Sequence, residues 1–327
     1  MYVPPFRITA KIIELISQIS EKIGEINVIR QDFRHVQLRR ENRIKTIHSS
    51  LAIENNSLSI EQITAIIDGK HVLGNPNEIQ EVKNAVQVYD LLLKLNSCSE
   101  KDLLKAHGLM MQDLVGKSGQ YRNDGVGIFN GKSVVHVAPP ADRVAFLMAD
   151  LFAWLETTDV HPLVKSCVFH YEFEFIHPFQ DGNGRMGRLW QTVILKEWKE
   201  IFAWLPVETL VKENQEEYYK VLSASDGEAD STKFIEFMLS LLARTVDEIV
   251  ENEKKVTQKV AQKVTVNQKK ILETIKENPY VTQETLAKIV GITRKSVVAN
   301  MKKLQDGGMI KRVGADKNGY WEIRFQV

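Results

Sequence analysis

His177-Pro178-Phe179-Gln180-Asp181-Gly182-Asn183-Gly184-Arg185-Met186-Gly187-Arg188 separates two apolar, aromatic-rich runs, Leu163 to Phe175 and Leu189 to Trp198. Each run has helical character, so the stretch lies at a helix–loop–helix junction. Within twelve residues it gathers an imidazole, a carboxylate, two guanidinium groups and flexible or amide-bearing positions. Gly182 and Gly184 let the backbone approach an anion, and a helix starting near Gly184 points its unpaired N–H groups at that anion. Arg185 and Arg188, three apart on that helix, offer bidentate hydrogen bonds to phosphate oxygens. No glycine-rich run ends in Lys followed by Ser or Thr, so this polyphosphate cradle is not a P-loop. Asp181 suits Mg²⁺, which binds through one or two carboxylates plus substrate phosphates. A histidine side chain has an intrinsic pKa near neutrality, so His177 can take a proton from a hydroxyl attacking phosphorus. The residues alone therefore point to phosphoryl or nucleotidyl transfer.

Outward from this junction the pattern is mainly helical. Ile12, Ile13, Leu15, Ile16, Ile19 and Ile23 recur at spacings of three and four, as a buried helical stripe does. Residues 26–48 read as a polar, Arg-rich helix, Ser59-Ile60-Glu61-Gln62 opens another that Gly69 stops, and helices are expected over 76–95, 99–114 and from Asp142 through Trp154. Val126 to Phe129 and Val134 to Val137, separated by Asn130-Gly131-Lys132-Ser133, predict a short β-hairpin. A helix over 231–250 precedes a Val/Gln/Lys-rich stretch to Val266, with few large side chains to bury, which reads as a linker or an exposed helix.

Residues 267–327 form a separate pattern: helices at 267–277, 282–290 and 293–306, the last two started by Thr282 and Thr293 as caps, then two short strands around an Asp-Lys-Asn-Gly turn. This predicts a winged helix–turn–helix. The net charge of the chain is only +1, yet residues 266–327 carry twelve Lys and Arg against six Asp and Glu. The basic excess lies in this module. Arg294, Lys295, Lys302, Lys303, Lys311 and Arg312 can meet phosphates, and Ser296 and Asn300 can reach base edges, which makes DNA a candidate partner. Dimerisation and protein docking are the alternatives for such a module.

At 327 residues, 43% hydrophobic and 26% charged, the chain has the composition of a globular protein with more than one domain. Cys98 and Cys167 are the two cysteines, too few for a disulfide framework, and no run of eighteen uncharged apolar residues occurs. A cytoplasmic protein without a membrane partner is expected. His170, on the apolar run before the junction, reads as a core histidine rather than a ligand. His48, His136 and His161 have no partner at metal-ligand spacing.

The junction fits every fixed position of the Fic family signature, His-Pro-Phe-x-(Asp/Glu)-Gly-Asn-Gly-Arg-x-x-Arg, and the chain resembles that family over roughly residues 40–240. The resemblance implies a mainly α fold, a Fic-type helical domain with a β-hairpin flap, followed here by the winged-helix domain. The expected division is an N-terminal helical region over 1–95, a catalytic core over 96–250, a linker over 251–266 and the winged helix over 267–327. By resemblance, His177 would be the general base, Asp181 the Mg²⁺ ligand, and Gly182, Asn183 and Gly184 the anion hole; Arg185 and Arg188 would hold the nucleotide phosphates, with Met186 and Gly187 in the same ATP-binding turn. Phe179 would anchor the loop in the core. Val126, Gly127, Ile128 and Phe129 match the flap strand near ATP, Tyr218-Tyr219 resembles the paired tyrosines bordering adenine, and Asp226 falls where Asn is common. Upstream, Ser50-Leu51-Ala52-Ile53-Glu54-Asn55 resembles the family's inhibitory pattern (Ser/Thr)-x-x-x-Glu-(Gly/Asn), with Ser50, Glu54 and Asn55 at its fixed positions. Glu54 would pair with Arg188 and compete there with the γ-phosphate of ATP. The implied reaction is AMP transfer from Mg-ATP to a Ser, Thr or Tyr hydroxyl of a protein, self-modification included, with AMP removal as a second activity in some members. The alternatives are transfer of UMP, phosphate or phosphocholine, and a nucleotide-sensing transcription regulator. A homodimer is compatible with all of these.

Overall fold

The structure, a computed structural model, describes residues 2–29, 35–125, 127–130, 133–263, 265–307, 309–314 and 319–323, with side chains described outside 27–38, 126–137 and 253–264. In chain order the helices are α1 (Ala10–Ile29), α2 (His35–Ile53), α3 (Ile60–Ile67), α4 (Pro76–Leu91), α5 (Glu100–Met110), α6 (Ala141–Thr157), α7 (Pro162–Ile176), α8 (Asn183–Trp198), α9 (Val207–Glu213), α10 (Gln215–Glu228), α11 (Thr232–Lys263), α12 (Val266–Glu277), α13 (Gln283–Val290) and α14 (Arg294–Asp306). The strands are β1 (Gly127–Asn130), β2 (Ser133–Val137), β3 (Ile310–Val313) and β4 (Tyr320–Ile323), paired antiparallel as β1–β2 and β3–β4. The fold is mainly helical, as expected. Two compact units emerge, one of residues 1–21 and 39–246, the other of residues 22–38 and 247–327.

In the larger unit α7 and α8 form the most extensive helix pair, and nearly all of both helices is buried. Glycine makes this approach possible: a Cβ on Gly187 would lie 2.6 Å from Oε1 of Glu174 and 2.9 Å from the His170 ring. Phe152, Phe169, Phe173, Phe179 and Trp190 fill the surrounding core, and Phe152 meets Phe169 and Trp190 edge to face. Trp190 is fully buried, and its indole N–H donates to the Ser97 carbonyl at 3.0 Å. Local chemistry sets the helix starts. Ser59 and Gln62 complete a capping box at α3, and Asn75 caps α4 with Pro76 in its first turn. The β1–β2 ladder carries an irregularity between Ile128 and Phe129, where one residue of β2 is left without a partner.

In the smaller unit Ile271, Ile275, Leu286, Val297, Met301, Leu304 and Trp321 build a separate core among α12, α13, α14 and the β3–β4 ribbon. Thr282 and Thr293 accept from the backbone N–H groups three residues on, as their positions predict, and Gly291 supplies the left-handed turn between α13 and α14 at φ 76°. The Asp316 to Asn318 part of the expected wing turn lies outside the described residues.

Three boundaries differ from expectation. The Arg-rich segment over 26–48 belongs to two helices, since α1 runs to Ile29 and α2 starts at His35. The helix expected over 99–114 ends at Met110, ahead of a turn in which Asp113 adopts φ 60°. Of the two readings for 251–266, the helical one is found to Lys263, in continuity with α11. Among the described residues no helix is long and apolar enough to cross a membrane.

Replacing Trp190 by Phe leaves the Ser97 carbonyl unpaired in the core. The substitution should destabilise the protein by about 1–3 kcal/mol in urea unfolding.

Candidate functional site

The His177 to Arg188 segment turns from α7 into α8, and its loop is held from outside by buried side chains. His177 is the C-cap of α7 in the left-handed region (φ 49°, ψ 61°), and its N–H bonds the Phe173 carbonyl at 2.9 Å. Carbonyls at a helix C-terminus have no partner of their own. Arg122 supplies them: its Nε donates to the His177 carbonyl at 2.7 Å and Nη2 to that of Ile176 at 3.3 Å, while its backbone N–H reaches Pro178 O at 2.9 Å. The same guanidinium bonds the carbonyls of Asp124 and Pro139, so one 6%-exposed residue ties α7's end to the segments flanking the hairpin.

Two further braces fix the loop. The Asn183 amide bonds both N–H and C=O of Phe179, at 2.9 and 2.8 Å. His107, on α5, lies flat on Phe179 with ring centroids 3.6 Å apart and 5° between planes. Its Nδ1 accepts from the Gly119 N–H at 2.8 Å, which leaves the proton on Nε2 to donate to the Asp181 carbonyl at 3.0 Å. Burial pushes the His107 pKa down to about 4, so the ring is neutral at physiological pH. Gly182 caps α8 at φ 83°, where a Cβ would also lie 2.6 Å from the Met111 sulfur.

Carboxylates and guanidinium groups converge on the first turns of α8. Arg185 is 3% exposed and divides its guanidinium between Glu81 on α4 (3.0 Å) and Asp181 (3.1 Å). Glu81 also accepts from the Asn56 amide at 2.8 Å. The Asp181 side chain is 58% exposed, and its Oδ1 accepts from the Gly182 N–H. Arg188 is buried; its Nε donates to the Ser50 hydroxyl at 3.3 Å, and Nη2 bonds the Ser50 carbonyl at 2.9 Å and Glu54 Oε1 at 2.8 Å.

The backbone at the end of α2 aims Glu54. Asn55 adopts φ 68°, Asn55 N–H bonds Ala52 O, and Asn56 N–H bonds Leu51 O, the paired arrangement of a Schellman stop. Asn tolerates the left-handed conformation, which accounts for its place after the glutamate. The remaining carbonyls of α2 are met from α9 and α10: Lys212 Nζ donates to Ala52 O at 2.7 Å and Gln215 Nε2 to Ile53 O at 3.0 Å. The result is a carboxylate directly over the start of α8, where a Cβ on Gly184 would sit 2.5 Å from Glu54 Oε1.

Tyr218 and Tyr219 part company. Tyr218 is buried, with its hydroxyl on His170 Nε2 at 3.1 Å, whereas Tyr219 is 45% exposed. Asp226 accepts from the Tyr171 hydroxyl at 2.9 Å. Val126 lies outside the described residues; Gly127, Ile128 and Phe129 are in β1, opposite β2. His170 is fully buried and packed, as its apolar surroundings predict, with burial lowering its pKa to about 3. In the other unit, Arg294, Lys295, Ser296 and Lys303 are exposed on α14; the Ser296 hydroxyl meets that of Thr293 and the Asn300 amide bonds Ser296 O. Arg122, His107, Glu81, Lys212 and Gln215 carry the loop and its neighbours, but the residues of α2, α7, the loop and α8 that they hold stand 54 or more positions away in sequence.

Comparison with known proteins accords with this geometry. The sequence profile of the Fic/DOC family matches residues 97–195, and a profile described as winged helix-turn-helix DNA-binding matches residues 265–311. The crystal structure of a Fic family protein from Desulfovibrio desulfuricans is 46% identical, with 98% of each chain covered and a TM-score of 0.74. The chain belongs to the Fic family. More distantly, it is 28% identical over 216 residues to the protein adenylyltransferase Fic of Aedes aegypti and 29% over 217 residues to that of Culex quinquefasciatus. Those alignments cover 62% of this chain and 41% of each relative, so the chain spans about two fifths of the length of the curated relatives it matches.

The neutral His107 links stability to pH. Unfolded, the imidazole titrates near 6.5, and folded near 4. The unfolded state therefore binds more protons between these values, and stability falls as pH drops from about 6.5 to about 4. In His107→Phe, which keeps a ring against Phe179, the urea-derived stability should decline less steeply over that window.

Proposed function

We propose that this protein transfers AMP from Mg-ATP to a Ser, Thr or Tyr hydroxyl of a target protein, and that Glu54 holds the reaction in check. The observation that carries the reading is the carboxylate of Glu54 seated at the α8 N-terminus against Arg188, an anion in the place where a helix start and a buried guanidinium would otherwise receive phosphate. Glycine at 184 leaves the room, and the family supplies the precedent.

In this reading Gly182 to Arg188 receive the polyphosphate, with Arg185 and Arg188 as its cationic partners. His177, at the rim with 16% of its side chain exposed, takes the proton of the attacking hydroxyl. The donor set fits a metal delivered with the nucleotide: Asp181 offers a solvent-accessible carboxylate, and no group of three or more His, Cys, Asp or Glu able to hold a metal occurs among the described residues. Mg²⁺ bound there with the phosphates would offset charge developing on them. Hydroxyl attack expels pyrophosphate and leaves AMP on the target; the β1–β2 ribbon is the candidate edge on which a target segment would pair.

Inhibition follows from competition. While Glu54 occupies Arg188, a γ-phosphate must give up that contact, and ATP sits in a pose unsuited to in-line attack. Lys212 and Gln215, by capping the carbonyls of α2, hold the inhibitory turn in place.

The match of residues 265–311 to a winged helix-turn-helix DNA-binding profile, together with the exposed cations of α14, supports a second role: DNA as a partner of the smaller unit.

With α-phosphate-labelled ATP, Glu54→Gly should raise label transfer to protein at least tenfold over wild type, and adding His177→Ala should abolish it; equal labelling in wild type and Glu54→Gly overturns the inhibitory role. Lys212→Ala should give an intermediate rise. For the second role, the full chain should shift random duplex DNA at low salt, and Arg294→Ala with Lys295→Ala should weaken that shift; no shift at low salt overturns it.

A further inference from the structure

Glu174 is a buried carboxylate for which the reaction as drawn has no use. It lies on α7, one turn before His177, and is 9% exposed. Taking a carboxylate out of water costs several kcal/mol unless charge and hydrogen bonds offset it, so its presence beside the site calls for a cause. The fold makes room for it: a Cβ on Gly187 would lie 2.6 Å from Glu174 Oε1.

Two imidazoles flank this carboxylate, and their hydrogen bonds distinguish them. His170 Nε2 is 3.8 Å from Oε1. That nitrogen accepts from the Tyr218 hydroxyl, while Nδ1 carries the proton and faces Gln191 Oε1 at 2.8 Å. His170 is thus neutral, with no N–H to offer Glu174. His177 differs. Its left-handed backbone folds the ring back over the last turn of α7, placing Nδ1 3.4 Å from the Glu174 carbonyl and 4.0 Å from Glu174 Oε2. Two acceptors of one residue, one of them a carboxylate, face the same nitrogen at the negative end of a helix dipole.

We infer that Glu174 is a positioning residue for His177: it keeps the imidazole proton on Nδ1, presents Nε2 to the incoming hydroxyl, and stabilises the imidazolium formed during transfer. This rests on the AMP-transfer reading above. In the step, the Nε2 lone pair takes the proton of the target hydroxyl as its oxygen bonds the α-phosphorus of ATP. The bond from that phosphorus to the bridging oxygen breaks, and pyrophosphate leaves with its electron pair. The imidazole then carries protons on both nitrogens, and Glu174 faces the positive charge, the arrangement by which a third group orients a catalytic base.

The other charged and titratable groups around Glu174 fit this role. Arg188 of α8 and Tyr218 and Tyr219 of α10 lie within its field, and Glu54 faces the same Arg188 and the same tyrosines. Arg188 is the cation among them, and its charge offsets the buried negative charge of Glu174.

Glu174→Gln removes the charge at nearly constant shape, and Glu174→Asp retains it as a second variant. In ¹⁵N-histidine-labelled protein, wild-type His177 should show the Nδ1–H tautomer. In Glu174→Gln its pKa should fall by about one unit and the tautomers should mix, with Glu174→Asp between the two. In the Glu54→Gly background, Glu174→Gln should lower kcat roughly tenfold with KM for ATP within about twofold, and the acidic limb of its pH profile should move to lower pH. An unchanged His177 pKa and tautomer, or an unchanged kcat and pH profile, overturns the inference. If Glu54→Gly transfers no AMP at all, the earlier reading fails, and the imidazole spectra alone decide this one.

Discussion

A guanidinium cannot be left alone inside a protein, and Arg188 is inside one. Its carbon stem packs in the core beside Tyr218, and its head group must find negative charge or acceptor oxygens within reach. In this chain the partners are supplied by an N-terminal helix: the Ser50 carbonyl and hydroxyl and the Glu54 carboxylate. Everything around the site follows from that demand. The Schellman stop at Asn55 turns Glu54 toward it, Lys212 and Gln215 fix the stop, and Gly184 clears the space. A polyphosphate would meet the same demand, which is why the proposed function gives one residue both roles, partner to a nucleotide and anchor of the Glu54 carboxylate.

The second constraint is geometric. His177 sits at a helix end in a conformation that costs a non-glycine residue about 1–2 kcal/mol, and such strain persists only where surroundings over-determine it. Arg122, Asn183 and His107 do so, each bonding backbone rather than side chain. The loop's shape is therefore set by groups indifferent to the identity of residue 180, which explains how a rigid loop coexists with a variable position in the signature.

Much of this was legible in the sequence. The junction from His177 to Arg188, the helix–loop–helix placement and the caps Thr282 and Thr293 follow from local rules, because helix starts and glycine turns are decided within a few residues. The Glu54 to Arg188 contact was readable only by resemblance, since the two residues stand 134 positions apart. Arg122, His107 and Glu81 were not readable at all. A histidine on an amphipathic helix looks the same whether it fills a core or braces a loop, and Arg122 in a Gly/Asn-punctuated segment gives no sign of the five carbonyls it gathers. Boundaries failed where periodicity was weak. The polar stretch between α1 and α2 has no apolar stripe to mark a break, and α11 continues past the point where its apolar residues thin out.

The tyrosine pair shows how adjacency in sequence conceals division of labour. Residues next to each other on a helix point about 100° apart, so only one of Tyr218 and Tyr219 can face the core. Tyr218 takes that place, and its hydroxyl, by donating to His170 Nε2, settles which nitrogen of that ring holds a proton. That choice passes inward to Gln191 and leaves the His170 lone pair, rather than an N–H, on the side of Glu174. A protonated His170 would draw the buried carboxylate to itself and away from His177. Keeping it neutral, through burial and through Tyr218, preserves the carboxylate for the ring at the rim. If His177 is the base proposed above, the buried tyrosine bears on its proton through His170 and Glu174.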